Sequence, residues 1–195
     1  MTEDRLGHAL RRLVDVLCVA DLPPGEDERI ASAVDALADA AAHHPVLDEP
    51  KARYFQSSPL VGYRNPVAPP IERYRDDRGR AVCDVTLGTR YQGNAGWVHG
   101  AHVAAVWDEV LAIANPHEGA PSVTASLSVQ YRKPTPLDVP LHFVAQVDRV
   151  DGRKAWSSGT CTTADGTVRS EAEALFIAVD PKMVPAFTEG LTEAD

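Results

Sequence analysis

The residues best suited to chemistry lie in one short segment, where a His-Gly step opens an apolar run that contains an acid. Asp108 follows His99 by nine positions, and apart from His102 the seven residues after Gly100 are all apolar. A helix that is apolar around nearly its whole circumference must be wrapped by the rest of the fold. A carboxylate in such a helix is costly unless solvent, a partner or a substrate meets it. The segment therefore predicts a buried helix in which Asp108 has a chemical role.

The same helix carries a second acid, Glu109, for which an ordinary explanation is better. We expect Glu109 to lie on the solvent-exposed edge of the helix, where a carboxylate stays hydrated. A position on that edge is also the alternative for Asp108.

The chain divides into four zones. Residues 1–45 hold apolar residues at helical spacing on both sides of a Pro-Pro-Gly break, which predicts a helical hairpin extension. Residues 46–70 are dense in proline and predict an ordered wrap or linker without long regular elements. Residues 71–180 hold the predicted chemical domain, and 181–195 form a C-terminal tail.

Strand patterns flank the helix on both sides. Two runs precede it, at 71–74 and 81–87, and four follow it, at 122–131, 141–150, 155–163 and 171–179. Strict alternation in the first of these four puts Leu127 and Tyr131 on one face and Thr124 on the other. The simplest assembly is an α+β fold in which a long, curved antiparallel sheet wraps around the single buried helix.

Composition narrows the class of protein. The 195 residues suit one domain with an extension, and the net charge of -9 argues against a general nucleic-acid binder, whose surface is usually basic. Cys18, Cys83 and Cys161 are far apart and form no C-x-x-C, so neither a disulfide framework nor a zinc site is indicated. We expect no membrane insertion and a cytoplasmic location, because no 18-residue apolar run and no signal-like N-terminus is present.

Six short motifs follow one another within residues 58–179. They are Val98-His99-Gly100, Asp108, the stretch 123–127, the stretch 131–137, the stretch 150–154, and Ser170-Glu171-Ala172 with Leu175-Phe176. Together they resemble the hotdog-fold acyl-CoA thioesterases, in particular the phenylacetate-degradation type and human thioesterase superfamily members 4 and 5. The chain departs from that pattern at Ala101, where the family usually has a second glycine, and the loop between Asn94 and His99 is about one residue shorter than in the family.

The resemblance implies hydrolysis of acyl-CoA thioesters to free acid and coenzyme A. Such a reaction needs a donor to the developing oxyanion and a group that activates water. Gly100 begins the helix, where free N–H groups and the positive end of the dipole lie, so its N–H is the expected oxyanion donor. Asp108 is the expected base or nucleophile, and Thr124 would hold water or orient the carboxylate. His99 would position the thioester or the loop, with Asn94 as a weaker candidate beside it.

The reaction calls for no metal and no cofactor. Two basic pairs in the matched motifs, Arg132-Lys133 and Arg153-Lys154, are candidates for the coenzyme A phosphates, and solvated turn residues are the alternative. Two other functions stay open: a non-catalytic acyl-CoA-binding hotdog protein, and a hotdog acyl-CoA hydratase or dehydratase.

The spacing of the site residues has a consequence for assembly. Positions 99 and 108 of one helix are roughly 13 Å apart, too far for both to reach one carbonyl. Two antiparallel helices across a two-fold axis would bring Gly100 of one subunit to Asp108 and Thr124 of the other. The family resemblance likewise implies a homodimer or a dimer of dimers.

Overall fold

The computed structural model of the chain describes residues 5–48, 56–76, 78, 80–115 and 121–180. Two helices come first, α1 (Arg5–Leu17) and α2 (Glu26–Ala42), followed by strands β1 (Glu72–Arg75) and β2 (Ala81–Thr86). A 3-10 turn (Thr89–Tyr91) leads to the central helix α3 (Gly100–Ala114). The remaining strands are β3 (Ser122–Tyr131), β4 (Pro140–Asp151), β5 (Lys154–Thr163) and β6 (Val168–Ala178). The predicted tail at 181–195 and the linker residues 49–55 lie outside the described residues.

The six strands form one antiparallel sheet in the order β1-β2-β4-β5-β6-β3. Strand β3 follows α3 in the chain but pairs with the last strand, β6, at one edge of the sheet. Helix α3 packs against each strand from β2 to β6, so the sheet curves around it. The predicted α+β fold, with a curved antiparallel sheet around one helix and a helical extension before it, is confirmed.

Among the described residues, the chain covers α3 on one side only. Its buried positions are Val103, Val106, Trp107, Val110, Leu111 and Ala114, which recur at helical spacing and face the sheet. The opposite side carries Asp108 among alanines, and these residues are half-buried or exposed. The expectation that the chain's own fold wraps nearly the whole helix is therefore corrected to a helix with one open face.

Trp107 anchors the covered side of α3. Its ring meets Phe143 edge to face at 4.9 Å, and its Nε1 donates a hydrogen bond to the Ser170 hydroxyl at 2.9 Å. Gly159 of β5 leaves room for the indole, because a Cβ at this position would lie 2.6 Å from Trp107 Cζ3 and 2.5 Å from the Val144 carbonyl oxygen. The Trp107 ring can therefore pack directly against β5, because residue 159 has no side chain.

The N-terminal helices are less deeply packed than the domain. Helix α2 has no buried residue, and Leu37 on it is 71% exposed. No helix in the described ranges is long and apolar enough to cross a membrane.

We expect Gly159→Ala to lower the free energy of unfolding by about 1–3 kcal/mol, because the added methyl overpacks the core beneath Trp107. Urea unfolding followed by tryptophan fluorescence measures the change. Where space is available, the same substitution stabilises by restricting the unfolded chain. An unchanged or increased unfolding free energy would therefore contradict this account of the packing.

Candidate active site

The start of α3 presents one unused backbone donor. His99 is the N-cap residue, and its Nδ1 accepts a hydrogen bond from the Ala101 N–H at 3.1 Å. A ring nitrogen that accepts is unprotonated, so the proton of the neutral imidazole is on Nε2. The N–H of Gly100 donates to no described residue. This donor therefore remains available at the positive end of the helix dipole.

Tyr131 holds this helix start in place, a role that the sequence interpretation did not assign to it. Its hydroxyl donates to the Gly100 carbonyl oxygen at 2.8 Å. Burial raises the pKa of the Tyr131 hydroxyl above its ordinary value, which keeps the donor protonated. A Cβ on residue 100 would lie 3.3 Å from the phenol oxygen, so glycine allows the close approach. Tyr131 belongs to the Tyr-Arg-Lys-Pro motif of the sequence. The position of that motif in the sequence does not indicate a contact between Tyr131 and Gly100.

The loop before His99 packs tightly behind the imidazole. The N–H groups of Gly93 and Trp97 donate to Trp97 O and Asn94 O respectively, both at 2.9 Å, which closes the loop into a narrow turn. A Cβ on Gly93 would lie 2.9 Å from His99 Cα. Asn94 is exposed on this loop.

A cleft of about 840 Å³ opens between this loop and the end of β3. It gathers five of the sequence-predicted site residues, namely Asn94, His99, Gly100, Arg132 and Lys133, together with Tyr131 and Trp97. Asp108 and Thr124 do not line it. One chain therefore brings together Gly100, which is the expected oxyanion donor, with His99 and one basic pair, but without Asp108.

The acid and the threonine meet near the middle of α3, two turns beyond Gly100. Thr124 Oγ1 donates a hydrogen bond to Asp108 Oδ1 at 2.9 Å. Asp108 is half-buried and Thr124 is exposed, so the pair is open to solvent in the single chain. No described residue donates to the second carboxylate oxygen, Oδ2.

A β-bulge makes this contact possible. Thr124 pairs with Phe176 of β6 and Ser126 pairs with Leu175, so Ala125 is an extra residue in β3. Because of it, Thr124 and Tyr131 both reach α3, at Asp108 and at Gly100. The predicted strict alternation, which separated Thr124 from Tyr131, is wrong at this point.

The two basic pairs lie near opposite ends of the strands, measured along β3. Lys154 is opposite Ile177, which in turn is opposite Val123, so Arg153-Lys154 lie at the Thr124 end of β3. Arg132 follows Tyr131 at the other end, where its Nε donates to Glu171 Oε2 at 2.6 Å. Within one chain the four predicted phosphate ligands do not converge.

His102 lies in the first turn of α3, beside His99. Its ring centroid is 5.0 Å from that of Tyr91 and 6.2 Å from that of His99. Burial, and secondly the repulsion that a protonated His99 would exert, lower the pKa of His102 below its ordinary value. The described residues bring together no group of three His, Cys, Asp or Glu side chains that could hold a metal ion.

Comparisons with known proteins identify the family. The profile of the thioesterase superfamily matches residues 95–168. A solved structure described as a thioesterase superfamily protein is 35% identical, with a TM-score of 0.79, and the match covers 91% of this chain and 95% of that one. The chain therefore belongs to the thioesterase superfamily.

Two further similar proteins have names or titles that mention coenzyme A. Acyl-coenzyme A thioesterase THEM4 of Rattus norvegicus is 35% identical over 109 residues, 55% of this chain and 47% of the relative. The chain spans about half the length of the curated relatives it matches. A hypothetical thioesterase of Streptococcus pneumoniae TIGR4, solved with coenzyme A, shares the fold at 20% identity and a TM-score of 0.51, over 57% of this chain and 88% of that one.

The lowered pKa of His102 predicts a pH-dependent loss of stability. Below about pH 6.5 the unfolded chain binds a proton at this position more readily than the folded chain does, so the free energy of unfolding falls as the pH falls. We expect wild type to lose more stability than His102→Gln between pH 7.5 and pH 5.5 in urea unfolding. Equal losses in the two proteins would contradict the assignment.

Proposed function

We propose that this chain hydrolyses acyl-CoA thioesters, giving a free acid and coenzyme A, at a site shared between two subunits. Membership of the thioesterase superfamily and the naming of relatives as acyl-coenzyme A thioesterases support the reaction. The coenzyme A in the Streptococcus pneumoniae structure supports the substrate class for this fold.

The observation that carries the proposal is the separation of two half-sites along α3. The unused Gly100 N–H lies at the helix start, and the Asp108–Thr124 pair lies about 12 Å further along, at 1.5 Å per residue. A thioester carbonyl that accepts from Gly100 is out of reach of Asp108 in the same chain. The complementary half must therefore come from a second copy.

The open face of α3 is suited to such a partner. Its alanines, Ala101, Ala104, Ala105 and Ala112, surround Asp108 at helical spacing. Small side chains allow a second helix to pack closely, and an antiparallel copy would set Gly100 opposite Asp108. Strand β3 lies at the sheet edge beside this face, and pairing with its own copy would satisfy the backbone groups there. We expect a homodimer, alone or as half of a dimer of dimers.

The same two-fold arrangement would unite the basic residues. Arg132 and Lys133 lie at the Gly100 end of one subunit, and Arg153 and Lys154 lie at the Asp108 end. In the dimer these ends meet, so all four side chains surround one site. A few cations suffice to bind the coenzyme A phosphates even in a chain of net charge -9.

The proposed mechanism assigns one task to each group. The Gly100 N–H stabilises the charge that develops on the thioester oxygen. Asp108 of the partner subunit accepts a proton from water as the water adds to the carbonyl carbon, and the proton passes to the leaving sulfur as the C–S bond breaks. Direct attack by the carboxylate, followed by hydrolysis of the anhydride, is the alternative route. Thr124 orients the carboxylate through Oδ1, and the His99 Nε2–H, with Asn94 on the loop, positions the substrate.

Asp108→Asn is the sharpest single test of this assignment. We expect kcat to fall about 10²- to 10⁴-fold, since the amide cannot accept the proton. The measurement is release of free thiol from a panel of acyl-CoAs of different chain length and head group. Thermal unfolding of the variant checks that the fold is retained.

Glu109→Gln is the matched control, because it removes the same charge from the next residue of the helix. We expect its kcat to stay within a few-fold of wild type. Undiminished activity of Asp108→Asn on a substrate that wild type hydrolyses would refute the role of Asp108. Wild-type binding of acyl-CoA without hydrolysis of any member of the panel would favour a non-catalytic binding protein.

A further inference from the structure

Helix α1 makes polar contacts with the segment before β1 and with the 3-10 turn. Arg11 Nη1 donates to the Tyr63 carbonyl oxygen at 2.9 Å, and Gly7 lies so close to the same oxygen that a Cβ would clash with it. Asp15 accepts a hydrogen bond from the Arg90 N–H at 3.4 Å and forms an ion pair with the Arg90 guanidinium. The helix is thereby held at a defined place beside the 3-10 turn.

Arg90 is a buried cation that depends on this helix. Its side chain is only 8% exposed, its guanidinium lies 4.6 Å from the centroid of the Tyr91 ring, and its Nε has no hydrogen-bond partner among the described residues. Within the described part of the chain, Asp15 is the acid that pairs with it. A buried charge that loses its partner is strongly destabilised and moves toward water.

Tyr91 links this pair to the start of α3. Its ring is 1% exposed, and its hydroxyl donates to the Ala68 carbonyl oxygen at 2.8 Å. Its own carbonyl oxygen accepts the N–H of His99 at 2.8 Å, and its ring meets the edge of His102. A shift of Tyr91 is therefore transmitted to both histidines.

We propose that Asp15 and Arg90 are positioning residues for His99. Helix α1 thereby helps to maintain the geometry of the site. The inference rests on the proposed function in taking the His99 segment as part of the thioester site. Asp15 touches no reacting atom, and it acts through Arg90 and Tyr91. Because misplacing reacting groups by about 1 Å costs up to about 100-fold in rate, loss of the pair lowers kcat without removing any catalytic group.

A double-mutant cycle tests the inference on the full chain. Asp15→Asn, Arg90→Gln and the double variant are compared with wild type in kcat and KM for an acyl-CoA that wild type hydrolyses. We expect each single variant to lose about tenfold or more in kcat with a smaller change in KM. The double variant should lose no more than the worse single variant, because both substitutions break the same interaction.

A second readout does not depend on activity. In ¹H–¹³C spectra at fixed pH, the imidazole signals of His99 and His102, assigned with His→Gln variants, should shift in Asp15→Asn, while those of His142 should not. His142 contacts Asp84 on β2, away from this chain of contacts. The control is Asp35→Asn, which removes the same charge from exposed α2 and should leave kcat and all histidine signals unchanged.

The outcomes separate the two proposals. Lower thermal stability of Asp15→Asn with unchanged kcat and unchanged His99 and His102 signals would mean that α1 only anchors the chain, and would overturn the inference. Additive losses of kcat in the double variant would also contradict it. If wild type hydrolyses no acyl-CoA, the proposed function fails, and the histidine signals alone then decide whether the pair positions this segment.

Discussion

The fixed rise of an α-helix keeps Gly100 and Asp108 about 12 Å apart, and no rearrangement of side chains closes that distance. The sheet covers the side of α3 that carries Trp107 and leaves the side that carries Asp108 open. Both proposed half-sites thus lie on a rigid element, and in the proposed mechanism each is completed by a second copy of the chain. The alanine face, the free edge of β3 and the split basic pairs all fit a second copy of α3 that runs in the opposite direction.

Strand β3 supports both half-sites at once. Tyr131 at its end contacts the carbonyl of Gly100, and Thr124 near its start contacts Asp108. A regular strand could not direct both side chains to the same helix, since they are seven positions apart and alternation would put them on opposite faces. The extra residue Ala125 brings Thr124 and Tyr131 to the same face of β3. This bulge therefore determines whether Asp108 has its hydrogen-bond partner, Thr124.

Much of this architecture could be predicted from local patterns. The apolar run after Gly100 indicated α3, and alternation with turn signals indicated the strands, because both patterns reflect burial along a single element. The Asp108–Thr124 contact was expected from the family resemblance. The bulge and the role of Tyr131 were not, because they arise from the register of β3 on β6. The pairing of Asp15 with Arg90 joins residues far apart in the chain, for which single-sequence patterns carry no signal. Nor does apolar composition reveal whether a helix face is covered by its own chain or by another.

The shared site is tested most directly by mixing inactive variants. Gly100→Pro removes the proposed oxyanion donor, and Gly100→Ala is its matched control, since both add a Cβ beside Tyr131 and only proline lacks the N–H. Gly100→Pro and Asp108→Asn homodimers should both be nearly inactive. After random 1:1 subunit exchange, verified by mass spectrometry, about half the dimers are mixed and each has one intact site, so about a quarter of wild-type activity should return. A mixture of Asp108→Asn with Thr124→Ala should recover nothing. Recovery in that second mixture but not in the first would contradict a site built from two chains.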